Sequence, residues 1–119
     1  MAHIIFVIKY RKPLLTGRFA DDIKQSIFDA CKKKHWYIHS METDKDHIHI
    51  LLQYNPKNSI TEIVSLLKQM STFYAWQHYA QYLKKYFWKE RTLWSDGFFA
   101  CSIGNASKVT VAHYIENQG

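Results

Sequence analysis

Thiol chemistry has little to work with in this chain. Its two cysteines, Cys31 and Cys101, stand far apart and fit neither a Cys-x-x-Cys pair nor a zinc-finger spacing. One falls in a helical pattern and one in a strand pattern, which reads as two buried free thiols. Nothing resembles a signal peptide: the N-terminal apolar run is short and lacks a small-residue cleavage site. No apolar run approaches the roughly 20 residues of a membrane span. A reducing cytoplasm is the expected location. Repeats, low-complexity stretches and interdomain linkers are also missing. The 119 residues therefore read as one domain, long enough to bury a core.

Acidic residues are scarce beside basic ones, 10 against 16, for a formal net charge of +6. That balance suits a polyanionic partner, of which nucleic acid is the commonest; a merely basic soluble protein is the alternative. Aromatic residues are plentiful at 16%, with eight tyrosines and four tryptophans. They fill cores, and they also stack on unpaired bases.

Ile4 to Ile8 is a short apolar run rich in β-branched residues, expected as a strand buried on both faces. Lys9, Tyr10, Arg11 and Lys12 follow, and Pro13 breaks the pattern. This basic-aromatic cluster reads either as a phosphate contact or as a solvated strand end. From about Arg18 to Lys34, Phe19, Ile23, Ile27, Ala30 and Cys31 recur at helical spacing. Asp21 and Asp22 near its start and Lys32 to Lys34 near its end complement the helix dipole.

Trp36 to Glu42 alternates apolar and polar positions, as a strand does. Thr43 to Asp46 supplies turn residues, and His47 to Tyr54 forms the second arm of a hairpin. Ser59 and Glu62 have capping-box spacing. They open a helix with an apolar stripe of Ile60, Ile63, Val64, Leu67, Met70 and Tyr74, expected to reach about Tyr79 or beyond. Gln81 to Arg91 interleaves Lys84, Lys85, Lys89 and Arg91 with Tyr86 and Trp88. Such a segment suits a groove for unpaired nucleic acid, or a helix extension that packs its rings inward. Trp94 to Gly97 reads as a turn and Phe98 to Ile103 as a strand. After the break at Gly104-Asn105, Ser107 can cap a last helix from Lys108 to Gln118. On it Tyr114 and Gln118 share one face, and Val111 and Ile115 another.

The order β-α-β-β-α-β-α is the α+β, ferredoxin-like plan: an antiparallel four-stranded sheet, helices on one face, plus an extra C-terminal helix. The first and third strands belong at its centre. In His47-Ile48-His49, period-2 alternation sends both imidazoles to one face and Ile48 to the other. Two adjacent imidazoles can ligate a metal, or can be hydrogen-bonded residues of a half-buried strand.

Several strings together resemble the HUH single-tyrosine transposases of small bacterial and archaeal insertion sequences. They are Lys9-Tyr10-Arg11, Thr43 through Leu51 with the histidine–hydrophobic–histidine core, Leu93-Trp94-Ser95 with Gly97-Phe98-Phe99, and Tyr114-Ile115-Glu116-Asn117-Gln118. They occur in the family's order and cover most of the chain. By position the resemblance implies Tyr114 as the nucleophile, with His47, His49 and Gln118 as ligands of a divalent metal, Mg²⁺ or Mn²⁺. It implies single-stranded DNA with hairpin ends as partner, and a homodimer whose active sites are shared between subunits. It also implies cleavage and rejoining through a 5′-phosphotyrosine. Lys9, Tyr10, Arg11, Lys12, Lys84, Lys85, Lys89 and Arg91 are the candidate DNA contacts. Family members commonly extend further at both ends, which leaves open a naturally short member, a truncated chain or a decayed copy. Three rival functions remain: a domesticated relative that nicks palindromes, a non-catalytic nucleic-acid-binding module, and a metal-dependent hydrolase that uses water.

Overall fold

The computed structural model describes residues 1–55 and 57–102. The expected hinge at Gly104-Asn105 and the last helix, with Tyr114 and Gln118, lie outside those residues.

Strand β1 (Ala2–Val7) enters the middle of a four-stranded sheet. A 3-10 turn (Lys9–Arg11) and helix α1 (Gly17–Lys33) follow. Strands β2 (Tyr37–Asp44) and β3 (His47–Gln53) form the hairpin; α2 (Ile60–Lys84) and β4 (Phe99–Ser102) complete the order. The sheet order is β2-β3-β1-β4, every neighbouring pair antiparallel. This is the expected ferredoxin-like arrangement, with β1 and β3 central.

The core lies between the sheet and the two helices. From the sheet it takes Ile4, Phe6, Ile48, Ile50 and Leu52; from the helices it takes Phe19, Ile23, Ile27, Ile63 and Leu67. Alternation along β1 and β3 delivers one residue in two to that side. Each fully buried aliphatic side chain contributes about 1.5–3 kcal/mol. The helices meet through aromatic rings, with Phe19 edge-on to Tyr79 at 4.9 Å and beside Tyr82 at 5.2 Å.

Several boundaries differ from expectation. β2 runs on to Asp44, because Thr43 and Asp44 pair with Ile48 and His47; only Lys45 and Asp46 are left for the turn. At the start of α2, the Ser59 Oγ accepts the Glu62 N–H at 3.1 Å, as its capping spacing requires. That helix passes through a kink at Tyr79 (φ −131°, ψ 29°) and ends at Lys84, where Leu83 is buried. No acid occupies the first turn of α1, so only its lysine end complements the dipole. Asp22 instead accepts a hydrogen bond from the Tyr79 hydroxyl. Cys31 is buried as expected, but Cys101 is only partly so. No helix among the described residues is long and apolar enough to cross a membrane.

Candidate metal centre and nucleic-acid surface

His47 and His49 leave the sheet face opposite the helices, while Ile48 and Ile50 enter the core behind them. Their ring centroids are 6.2 Å apart, with the planes inclined by 32°. His47 stands across from Val7 on β1 and Asp44 on β2, and His49 across from Ile5 and Glu42. His47 is buried and His49 partly exposed.

Asp46, also buried, is held from three sides. Its backbone carbonyl accepts the Ile8 N–H at 2.8 Å. One carboxylate oxygen lies 2.8 Å from His47 Nδ1; the other accepts the Arg11 Nε–H at 3.0 Å. Burial alone would raise this carboxyl. The hydrogen bonds from His47 and Arg11, with the guanidinium charge, outweigh it and hold Asp46 below the usual carboxylate value. Burial pulls His49 below the ordinary histidine value, opposed in part by Glu42, whose Oε2 lies 3.7 Å from His49 Nε2. A neutral His49 keeps a lone pair available to a cation.

The donor set fits a divalent metal ion. Two imidazoles stand side by side, and one has its Nδ1 committed to a carboxylate, a common way of directing the other nitrogen to a metal. Among the described residues no group of three His, Cys, Asp or Glu residues could hold an ion by itself. A complete site therefore needs a further donor of another kind or from elsewhere. His3 occupies the same face, diagonal to His49 across the ladder, and its buried Nδ1 has no hydrogen-bond partner. Sequence reading missed His3 because only the β1–β3 register brings it near the pair.

The basic residues divide into two kinds. Lys9 Nζ pairs with Glu90 at 2.9 Å and Arg11 with Asp46, so half of the Lys9-to-Lys12 cluster is tied to carboxylates. Tyr10 is well exposed. Lys84, Lys85, Lys89 and Arg91 are all exposed. Lys89 Nζ sits 4.7 Å from the centre of the exposed Trp88 ring, and the Arg91 guanidinium lies 5.5 Å from that of Trp76. Trp76 and Arg91 also line an open groove of about 640 Å³ with Lys68, Phe73 and Trp94. This groove is on the helix side of the sheet, away from the histidines. Lys68 donates to the carbonyls of Ser95 (2.9 Å) and Gly97 (2.6 Å), which fixes the groove's far wall.

Comparison with known proteins finds a family likeness along nearly the whole chain. The family profile described as "Transposase IS200 like" matches residues 1–118. The ISDra2 transposase TnpA of Deinococcus radiodurans is 30% identical over 116 residues, covering 98% of this chain and 81% of the relative. The transposase for insertion sequence element IS200 of Salmonella typhimurium is 29% identical over 117 residues, covering 98% and 74%. A crystal structure of a transposase candidate from D. radiodurans R1 superposes with a TM-score of 0.87 at 26% identity, over 98% of this chain and 88% of the other. The structure of a REP-associated tyrosine transposase bound to a REP hairpin gives a TM-score of 0.62 at 13% identity, over 97% and 61%. At that identity the likeness is one of fold.

Proposed function

The chain belongs to the IS200-like transposase family, and on that premise we propose that it cuts and rejoins single-stranded DNA through a covalent 5′-phosphotyrosine, recognising hairpins at the ends of a mobile element. The observation that carries this reading is the pair of adjacent imidazoles on the open side of the sheet, one oriented by Asp46.

In this reading His47 and His49, with Gln118, hold Mg²⁺ or Mn²⁺. Two imidazoles and an amide add no charge, so the bound ion would keep its full Lewis-acid strength toward a phosphate oxygen. Nitrogen donors suit Mn²⁺ at least as well as Mg²⁺. Tyr114 supplies the nucleophile. Its phenolic oxygen forms a bond to phosphorus, the bond from phosphorus to the 3′-oxygen breaks, and that oxygen leaves as a hydroxyl after taking up a proton. A DNA 3′-hydroxyl reverses the step, forming a new phosphodiester and returning the proton to the phenol. Only about one phenol in a thousand is ionised at neutral pH, so the reaction depends on charge stabilisation at the phosphate.

Lys84, Lys85, Lys89 and Arg91, with Trp88, present cations and a ring on one exposed segment. They are proposed as contacts to the DNA, together with Tyr10 and Lys12. A homodimer with shared active sites is part of the same proposal. The test is incubation of labelled single-stranded hairpin DNA with the protein and Mg²⁺ or Mn²⁺, followed by denaturing gels. A covalent adduct that EDTA and Tyr114→Phe both abolish is expected. Free 5′-phosphate without adduct would indicate a hydrolase, and binding without cleavage a non-catalytic module.

A further inference from the structure

Arg11 and Asp46 lie outside the proposed ligand set, yet they form a continuous line to it. Asp46 bridges the two other side chains, with His47 Nδ1 at 2.8 Å on one oxygen and Arg11 Nε at 3.0 Å on the other. Asp46 is buried, and its backbone is fixed by the bond from Ile8. The backbone that presents Arg11 to it turns through two consecutive positive-φ residues, Tyr10 (φ 61°) and Arg11 (φ 53°). Neither is glycine, so each position costs on the order of 1–2 kcal/mol. The turn is kept in place by the Arg11 N–H bond to the Ile8 carbonyl and by the Lys9 N–H bond to the Leu93 carbonyl. A strained turn fixed at both ends, delivering a guanidinium to one buried carboxylate, is an expensive way to build a mere surface ion pair.

We propose that Asp46 and Arg11 are positioning residues. Asp46 accepts the Nδ1 proton of His47 and so leaves the Nε2 lone pair free for the metal. Arg11 holds the carboxylate in the plane and direction this requires. The argument is one of donors and acceptors: an ionised carboxylate only accepts, so the hydrogen at this contact belongs to Nδ1, and in the neutral ring Nε2 is then the bare nitrogen. The proposal rests on the reading of His47 as a metal ligand.

The metal-free protein provides the first readout. Long-range ¹H–¹⁵N NMR of its histidines is expected to show His47 protonated at Nδ1 and bare at Nε2. Asp46→Ala should shift His47 toward the Nε2–H form, and Asp46→Asn, which keeps an accepting oxygen, should largely restore the wild-type pattern. Mn²⁺ titration followed by EPR is the second readout. Asp46→Ala is expected to weaken Mn²⁺ binding 10- to 100-fold, with Arg11→Gln weakening it less. Far-UV circular dichroism separates these effects from loss of fold. A wild-type His47 already protonated at Nε2, or unchanged Mn²⁺ affinity in folded Asp46→Ala and Arg11→Gln, overturns the positioning role. The control is His47→Ala. If it too leaves Mn²⁺ binding unchanged, the metal-ligand reading itself fails. If it abolishes binding while the other two variants do not, only the positioning proposal fails.

Discussion

Ile5 stands directly across the β1–β3 ladder from His49. This pairing sets which way the imidazole faces, because a slip of one residue would turn every side chain of β3 over. His47 and His49 would then enter the core in place of Ile48 and Ile50. The same register that buries the isoleucines on one face therefore sends both imidazoles to the other, and fold and candidate site are specified together.

His49 is predicted to be separable from stability. His49→Ala removes a partly exposed ring from the open face, so its melting temperature should stay close to the parent's. On the proposed metal role, cleavage and adduct formation should fall by no less than the roughly 10- to 100-fold typical of losing a metal's outer-shell partner. Ile50→Ala, one residue on and fully buried, should do the opposite. It is expected to cost about 2–5 kcal/mol in urea unfolding while the folded fraction still binds Mn²⁺.

Tyr79 predicts an alkaline limb to the stability curve. Its hydrogen bond to Asp22, aided by burial and the nearby negative charge, pushes the phenol up to about 12. The folded value lies above that of the unfolded chain, near 10. The stabilisation is therefore fully present below pH 10 and disappears as pH rises toward 12. Asp22→Asn should bring Tyr79 ionisation to lower pH in ultraviolet titration. An unchanged titration would show that the contact has no influence.

The thiols should react unequally. Burial pushes Cys31 up to about 12, while Cys101 is raised but more accessible. At pH 8 the native protein should be alkylated at Cys101 well before Cys31, with the second site following only on unfolding. Peptide mapping after timed iodoacetamide treatment reads the order.

The exposed cations predict a salt dependence. Replacing Lys84, Lys85 and Lys89 together with alanine should reduce the slope of log affinity against log salt for single-stranded DNA by about two. Trp88→Ala should instead weaken binding by about 1–3 kcal/mol, if one base stacks there, and leave the slope alone. Fluorescence anisotropy across a salt series distinguishes the two. An unchanged slope in the triple variant would remove this segment from the interface.

Much of this was legible in the sequence. Alternation around His47-Ile48-His49 announced a strand with both rings on one side, and Ser59 with Glu62 announced the start of α2. The missed features depend on partners distant in the chain. Thr43 and Asp44 have turn chemistry, yet they are paired in β2 because His47 and Ile48 lie opposite. Arg11 reads as a phosphate contact until folding brings Asp46, 35 residues on, against it. The left-handed turn at Tyr10 and Arg11 had no local signal, since glycine is absent there. His3 became part of the site's surroundings only through the sheet register. The tyrosine and glutamine expected to complete the site were recognisable from family resemblance rather than from any periodicity.

The placement of β1 has a consequence for synthesis on the ribosome. Of the described strands this one is made first, yet Ala2 must wait for Leu52 on one side and Ser102 on the other. Until β4 is made, this six-residue, largely apolar strand keeps one edge unsatisfied. Nascent chains halted between β3 and β4 should therefore be the species that chaperones bind and that aggregate most readily.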